Sequence, residues 1–121
     1  MLSTAFYLVS LAVVLGVVLA LLHMRGGMRP HWVAGVTHGG LGAGGLLALV
    51  LSLRGPPRGA LTGVGPFGTI AAVLGAMAIA AGLGVEAALR RNRALGGVAI
   101  AVHATLAITA YVILAAYVAL G

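Results

Sequence analysis

The stretch His31-Trp32-Val33-Ala34-Gly35-Val36-Thr37-His38-Gly39-Gly40-Leu41-Gly42-Ala43-Gly44-Gly45-Leu46-Leu47-Ala48-Leu49-Val50-Leu51-Ser52-Leu53 holds no arginine, lysine or carboxylate. A helix needs roughly 20 apolar residues to cross a hydrocarbon layer about 30 Å thick, and this run is long enough. Three further runs of the same character lie at about 3–24, 67–89 and 94–120. Without water to satisfy the backbone, only helices or closed barrels cross a bilayer. Unbroken apolar runs do not alternate as barrel strands must. The expected fold is therefore all-α: an integral-membrane up-down-up-down four-helix bundle forming a single domain over 1–121.

Composition supports this from a different direction. Hydrophobic residues make up 62% of the 121 residues and charged residues 7%, against about 45–50% and about 25% in ordinary soluble domains. The net charge of +6 would suggest nucleic acid in a soluble protein. Here the arginines sit between apolar runs, where they read as topology signals and headgroup contacts; nucleic acid is excluded as a partner. There is no cysteine, so the chain supplies no disulfide and no thiolate ligand. The first residues, Met1-Leu2-Ser3-Thr4-Ala5-Phe6, lack the positive region of a signal peptide, and the run behind them is expected to be a retained first helix.

Arg25-Gly26-Gly27-Met28-Arg29-Pro30 joins the first two runs, residues 55–66 the middle pair, and Arg90-Arg91-Asn92-Arg93 forms a tight last turn. Short connections make neighbours antiparallel. The first and third connections hold Arg25, Arg29, Arg90, Arg91 and Arg93, and the middle one Arg54 and Arg58. The positive-inside bias then puts the first and third connections in the cytoplasm and both termini outside, in a bacterial-type inner membrane. Phe6, Tyr7, Phe67 and Tyr117 are expected at the outer interface and Trp32 at the inner one. No internal repeat stands out.

Two histidines are the chemically distinctive feature. His38 and His103 fall on the second and fourth runs, which enter from the same arginine-rich end. At 1.5 Å per residue both lie roughly 10–14 Å below their helix starts. In an up-down square these helices are diagonal, on the order of 11–14 Å apart. That span suits imidazoles on opposite faces of a porphyrin iron better than a small ion shared between them. Gly35, Gly42 and Gly45 share a helical face with His38, and Gly96, Ala99, Ala107 and Ala110 share one with His103. Gly16 and Ala20 on the first run, and Gly75, Ala78 and Gly82 on the third, add further small residues. Such residues leave a flat space for a macrocycle, although they also simply let membrane helices pack closely. A ligand histidine needs an acceptor for its Nδ1–H, and the carbonyls four residues back, at Ala34 and Ala99, are the expected ones. Arg25, Arg29, Arg91 and Arg93, with His31 or His23, are placed to meet haem propionates.

Paired histidines on different helices of a small glycine-flanked bundle resemble the four-helix integral-membrane b-type cytochromes. The resemblance implies a non-covalent haem b with His38 and His103 as axial, metal-binding ligands. It also implies electron exchange with quinone or a redox partner protein. The absence of a Cys-x-x-Cys-His attachment sequence agrees with non-covalent haem. Many such proteins carry a second histidine pair near the opposite face. This chain has none there, which argues against a two-haem relay. Whether the chain is an enzyme is left open; the oxidoreductase classes compatible with it are quinone-linked and superoxide-linked.

Other residues carry alternatives. His23 and His31 flank the first connection and read as solvated or headgroup-binding side chains, with a quinone or proton site as the rival reading. Glu86 is the only carboxylate. With Arg90 four residues on it reads equally as a helical ion pair or as a proton relay. Thr37, Thr105 and Thr109 offer hydroxyls to an imidazole or a helix carbonyl. Two other function classes stand beside the cytochrome: a small dimeric four-helix transporter or channel, and a non-catalytic membrane anchor subunit. No nucleophile–base set and no phosphate loop is present, so hydrolase and nucleotide chemistry are unsupported.

Overall fold

The computed structural model of the chain describes residues 1–25, 32–91 and 93–121, the side chains of 86, 89–91 and 93–95 excepted. Four helices follow one another: α1 (Leu2–Met24), α2 (Trp32–Ser52), α3 (Phe67–Arg91) and α4 (Arg93–Leu120). All four are long and apolar enough to cross a membrane. The protein is an all-α membrane bundle, as the apolar runs require. α3 is described to Arg91 and α4 from Arg93, so Arg90, Arg91 and Arg93 of the stretch read as a turn are helical.

Helix contacts close a ring in the order α1, α2, α3, α4, with α2 and α4 on one diagonal and α1 and α3 on the other. The closest pairings are α3 with α4 and α1 with α2, so the bundle is two hairpins set side by side. Large apolar side chains such as Val14, Val36, Leu83 and Val112 are exposed on the outside. In lipid that is their satisfied state, since no hydrophobic force drives them inward.

The tightly packed core lies toward the end that carries the termini and the α2–α3 connection. Ala5, Ala48, Leu49, Ala71, Ala72 and Leu114 form one buried cluster there, backed by Phe6, Val9, Leu46 and Ile113. Gly45 lets α2 approach α1, because a Cβ on it would lie 2.6 Å from Val9 Cγ2 and 3.2 Å from the Val9 nitrogen. In the α2–α3 connection, Gly59 and Gly63 take positive φ of 71° and 77°, a region open to glycine without steric cost. Thr62 Oγ1 then donates to the Leu120 carbonyl at 2.8 Å, tying the connection to the end of α4. Tyr117 is 5% exposed and packs on Gly68. It is a core residue close to the helix end, while Tyr7 and Trp32 are exposed.

The two hairpins repeat one another. Ala5, Ala12 and Gly16 on α1 correspond to Ala71, Ala78 and Gly82 on α3 at an offset of 66 residues (12 to 78). His38, Gly45 and Leu49 on α2 correspond to His103, Ala110 and Leu114 on α4 at an offset of 65 (38 to 103). Both alanine pairs, Gly45 with Ala110, and both leucines are buried. This is a parallel repeat, related by an axis along the bundle. It overturns the expectation of no repeat. The matched positions named here lie mainly on the inward stripe, although Val33 and Val98, also 65 apart, are both exposed.

Candidate metal centre

His38 and His103 project from the diagonal helices α2 and α4, and their rings meet. The centroids are 5.8 Å apart and the planes stand at 82°. Both residues are half-buried. Each ring is anchored by the other helix of its own hairpin: His38 Nδ1 lies 2.9 Å from the Ala12 carbonyl oxygen, and His103 Nδ1 lies 2.8 Å from that of Ala78. The acceptors expected four residues back, Ala34 and Ala99, are not the ones used. An inward-pointing side chain leaves its own helix, so the nearest reachable carbonyl belongs to the neighbour.

These bonds settle the ring chemistry. A carbonyl oxygen only accepts, so Nδ1 of each neutral ring must carry the proton and Nε2 the lone pair. Metal-bound histidines use this arrangement, with the second ring nitrogen tied to a carbonyl or carboxylate. A metal–imidazole nitrogen bond is about 2 Å, with the ring centre about 1 Å behind it, so two imidazoles on one ion have centroids about 6 Å apart when collinear. The observed 5.8 Å is of that size. That spacing matches an edge-to-face ring contact as well as two imidazoles on one ion, and the diagonal width does not by itself separate haem from a small ion. Donor count does. Among the described residues no third histidine, cysteine or carboxylate joins the pair. A zinc site draws three or four ligands from protein, whereas haem iron takes four from its porphyrin and needs two axial ones.

The room around the pair is uneven. Ala12 and Ala78, which supply the carbonyls, are, among the described residues, the last buried hydrophobic residues on α1 and α3 going toward the arginine-rich end. Beyond them, among the described residues, only Gly96 is buried. Gly42, one turn from His38 on the same face, would carry a Cβ with nothing within 4 Å. Gly35 is equally open but exposed. Gly45, expected to border the same space, faces Val9 instead and serves helix packing. Ala99 and Ala107 flank His103 and are half-buried, and Ala110 is buried. Gly75 lies near Leu46, away from the rings.

The hydroxyls do not reach the imidazoles. Thr105 Oγ1 donates to the Ala101 carbonyl at 2.8 Å and Thr109 Oγ1 to that of Thr105 at 2.7 Å, both within α4. Thr37 is exposed. Arg25 caps α1 and is exposed, and His23 is half-buried in the last turn of α1. Arg29 and His31 lie outside the described residues, as do the side chains of Glu86, Arg90, Arg91 and Arg93. Sequence reading missed Ala12 altogether and gave Gly16, Ala78 and Gly82 only a general role as small residues. A signal for them was present: alanine followed four residues later by glycine, twice, each on the helix preceding a histidine-bearing one. No protein-family model, curated protein or solved structure matches the chain.

Proposed function

We propose that the protein is a membrane b-type cytochrome-like electron carrier that holds one haem b between His38 and His103. The observation that carries this reading is the convergence of two Nδ1-protonated imidazoles at 5.8 Å inside an apolar bundle. Two lone-pair donors at this spacing can share one electrophile. The open position at Gly42 and, among the described residues, the lack of buried hydrophobic residues beyond Ala12 and Ala78 support a bulky occupant over a bare ion.

In this reading the chain's residues divide the work. Nε2 of His38 and Nε2 of His103 are the axial ligands, and the Ala12 and Ala78 carbonyls hold the rings in the ligating tautomer. Gly35, Gly42, Gly96 and Ala99 line the space for the macrocycle. Arg25, Arg29, Arg91 and Arg93, with His31, meet its propionates at the arginine-rich end. Haem, when bound, supplies one-electron redox chemistry. Two histidine ligands leave no axial position for a gas or substrate, which favours outer-sphere electron transfer. The partners are quinone or a redox protein, and activity as a quinone-linked or superoxide-linked oxidoreductase follows if that partner turns over. The arginine distribution favours a bacterial-type inner membrane with the first and third connections cytoplasmic and both termini outside.

The test is a reduced-minus-oxidised absorbance spectrum of detergent-purified protein. A b-type band is expected, abolished by His38→Ala and by His103→Ala and largely spared by His23→Ala. A colourless wild type, or a band that survives both ligand substitutions, would overturn the assignment.

A further inference from the structure

Gly16 and Gly82 lie directly beneath the two imidazoles. A Cβ on Gly16 would sit 2.8 Å from His38 Cε1 and 3.3 Å from Nδ1; one on Gly82 would sit 3.0 and 3.1 Å from the same atoms of His103. Each glycine is four residues beyond the alanine whose carbonyl accepts the Nδ1–H. Helix geometry gives this spacing its meaning. The carbonyl of residue i points along the axis toward residue i+4, whose amide it accepts. The side chain at i+4 stands beside that oxygen and covers its second lone pair. Removing the side chain uncovers a carbonyl in mid-helix, where a ring from a neighbouring helix can reach it.

We infer that Gly16 and Gly82 are positioning residues: each opens a seat on the neighbouring helix that fixes one histidine in the Nδ1–H tautomer with Nε2 free for a ligand. The seat occurs once per hairpin, as Ala12, Gly16 and His38 and again as Ala78, Gly82 and His103, at equivalent places in the repeat. Two independent occurrences argue against accidental close packing. Cross-helix hydrogen bonds in bilayers are individually weak, too weak to account for the bundle's stability but enough to choose between two near-degenerate tautomers. The seats are a property of the polypeptide alone; that they serve haem rests on the reading above.

The experiment has two arms. In the first, protein from cells unable to make haem is labelled with ¹⁵N-histidine and its ring tautomers are read by NMR in detergent. Wild type is expected to show Nδ1–H at His38 and His103. Gly16→Ala is expected to lose that signal at His38 and keep it at His103. Gly82→Ala does the reverse more weakly, because its Cβ has slightly more room. Gly45→Ala is the structural control, clashing with Val9 without approaching either ring: it should lower the thermal midpoint and leave both tautomers intact. In the second arm, haem-loaded Gly16→Ala should have a higher midpoint potential than wild type, because a ligand that loses its Nδ1–H···O bond donates less charge to iron; Gly45→Ala should not. Unchanged tautomers in Gly16→Ala and Gly82→Ala, or an equal change in Gly45→Ala, would overturn the inference. Absence of haem from wild type would sink the cytochrome reading alone, leaving the first arm to decide the seats.

Discussion

Ser10 and Tyr111 are joined across the α1–α4 seam by a hydrogen bond of 3.2 Å between their hydroxyls. Ser10 Oγ also bonds the Phe6 carbonyl at 2.7 Å. The serine has one proton and the carbonyl must receive it, so the tyrosine hydroxyl donates to Ser10. Phe6 stacks on the Tyr111 ring, with centroids 5.8 Å apart and planes 12° from parallel. One side chain thus ties the two hairpins by polar and aromatic contacts, on the closely packed side of the histidine pair.

Tyr111→Phe keeps the stack and removes the hydroxyl. The expected loss is about 0.6 kcal/mol, small enough that thermal denaturation in detergent should barely distinguish it from wild type. Tyr111→Ala removes both contacts and should lower the midpoint clearly. Equal effects of the two would mean that the hydroxyl carries the seam and the ring does not.

Leu114 is 2% exposed at the centre of the buried cluster. Unfolding in a membrane exposes it to lipid, so the transfer term of a soluble core is absent and only the void counts. A Leu114→Ala void on the order of 80 Å³, at about 24 cal/mol per Å³, costs about 2 kcal/mol. Denaturant titration in detergent measures it. Leu49→Ala, at the equivalent place in the other hairpin, should cost a similar amount, and neither should shift the haem band.

The ring planes stand at 82°. Axial imidazoles crossed in this way leave two iron d orbitals nearly equal in energy. The ferric protein should therefore give the strongly anisotropic low-spin EPR signal, displaced to large g, that marks perpendicular ligands. A rhombic signal of the ordinary parallel type would show that the rings turn on ligation and that their seats do not hold them.

If, as proposed, His38 and His103 fill both axial positions of a haem, ferrous protein should not bind carbon monoxide. His38→Gly and His103→Gly each open one position and should bind it, with the change in absorbance as the readout. Ready binding by wild type would mean that one of the two imidazoles is not a ligand.

Much of this was legible from residue order. The helix limits expected at about 3–24, 31–53, 67–89 and 94–120 lie within two residues of those found, because each run ends where arginine, proline or glycine ends the apolar pattern. That His38 and His103 share a depth could be counted off at 1.5 Å per residue. Their actual hydrogen-bond acceptors could not. A local rule pointed to Ala34 and Ala99, whereas Ala12 and Ala78 lie 26 and 25 residues away in sequence. The burial of Tyr117 was not legible for a related reason: an aromatic near a helix end can face lipid or the core, and the Gly68 beneath it on α3 decides.

What the sequence determined by itself is the solvent and the architecture. Lipid leaves the backbone no partner but its own helix, so long uncharged runs become four spanning helices whatever their neighbours are. What only the tertiary structure decided is which inward faces meet: that each histidine rests on the helix preceding its own, over a missing side chain, and that the two hairpins repeat. Those facts depend on the rotation of each helix about its axis. In a chain whose lipid-facing and inward-facing residues are both small or aliphatic, hydropathy does not encode that rotation, and close packing sets it.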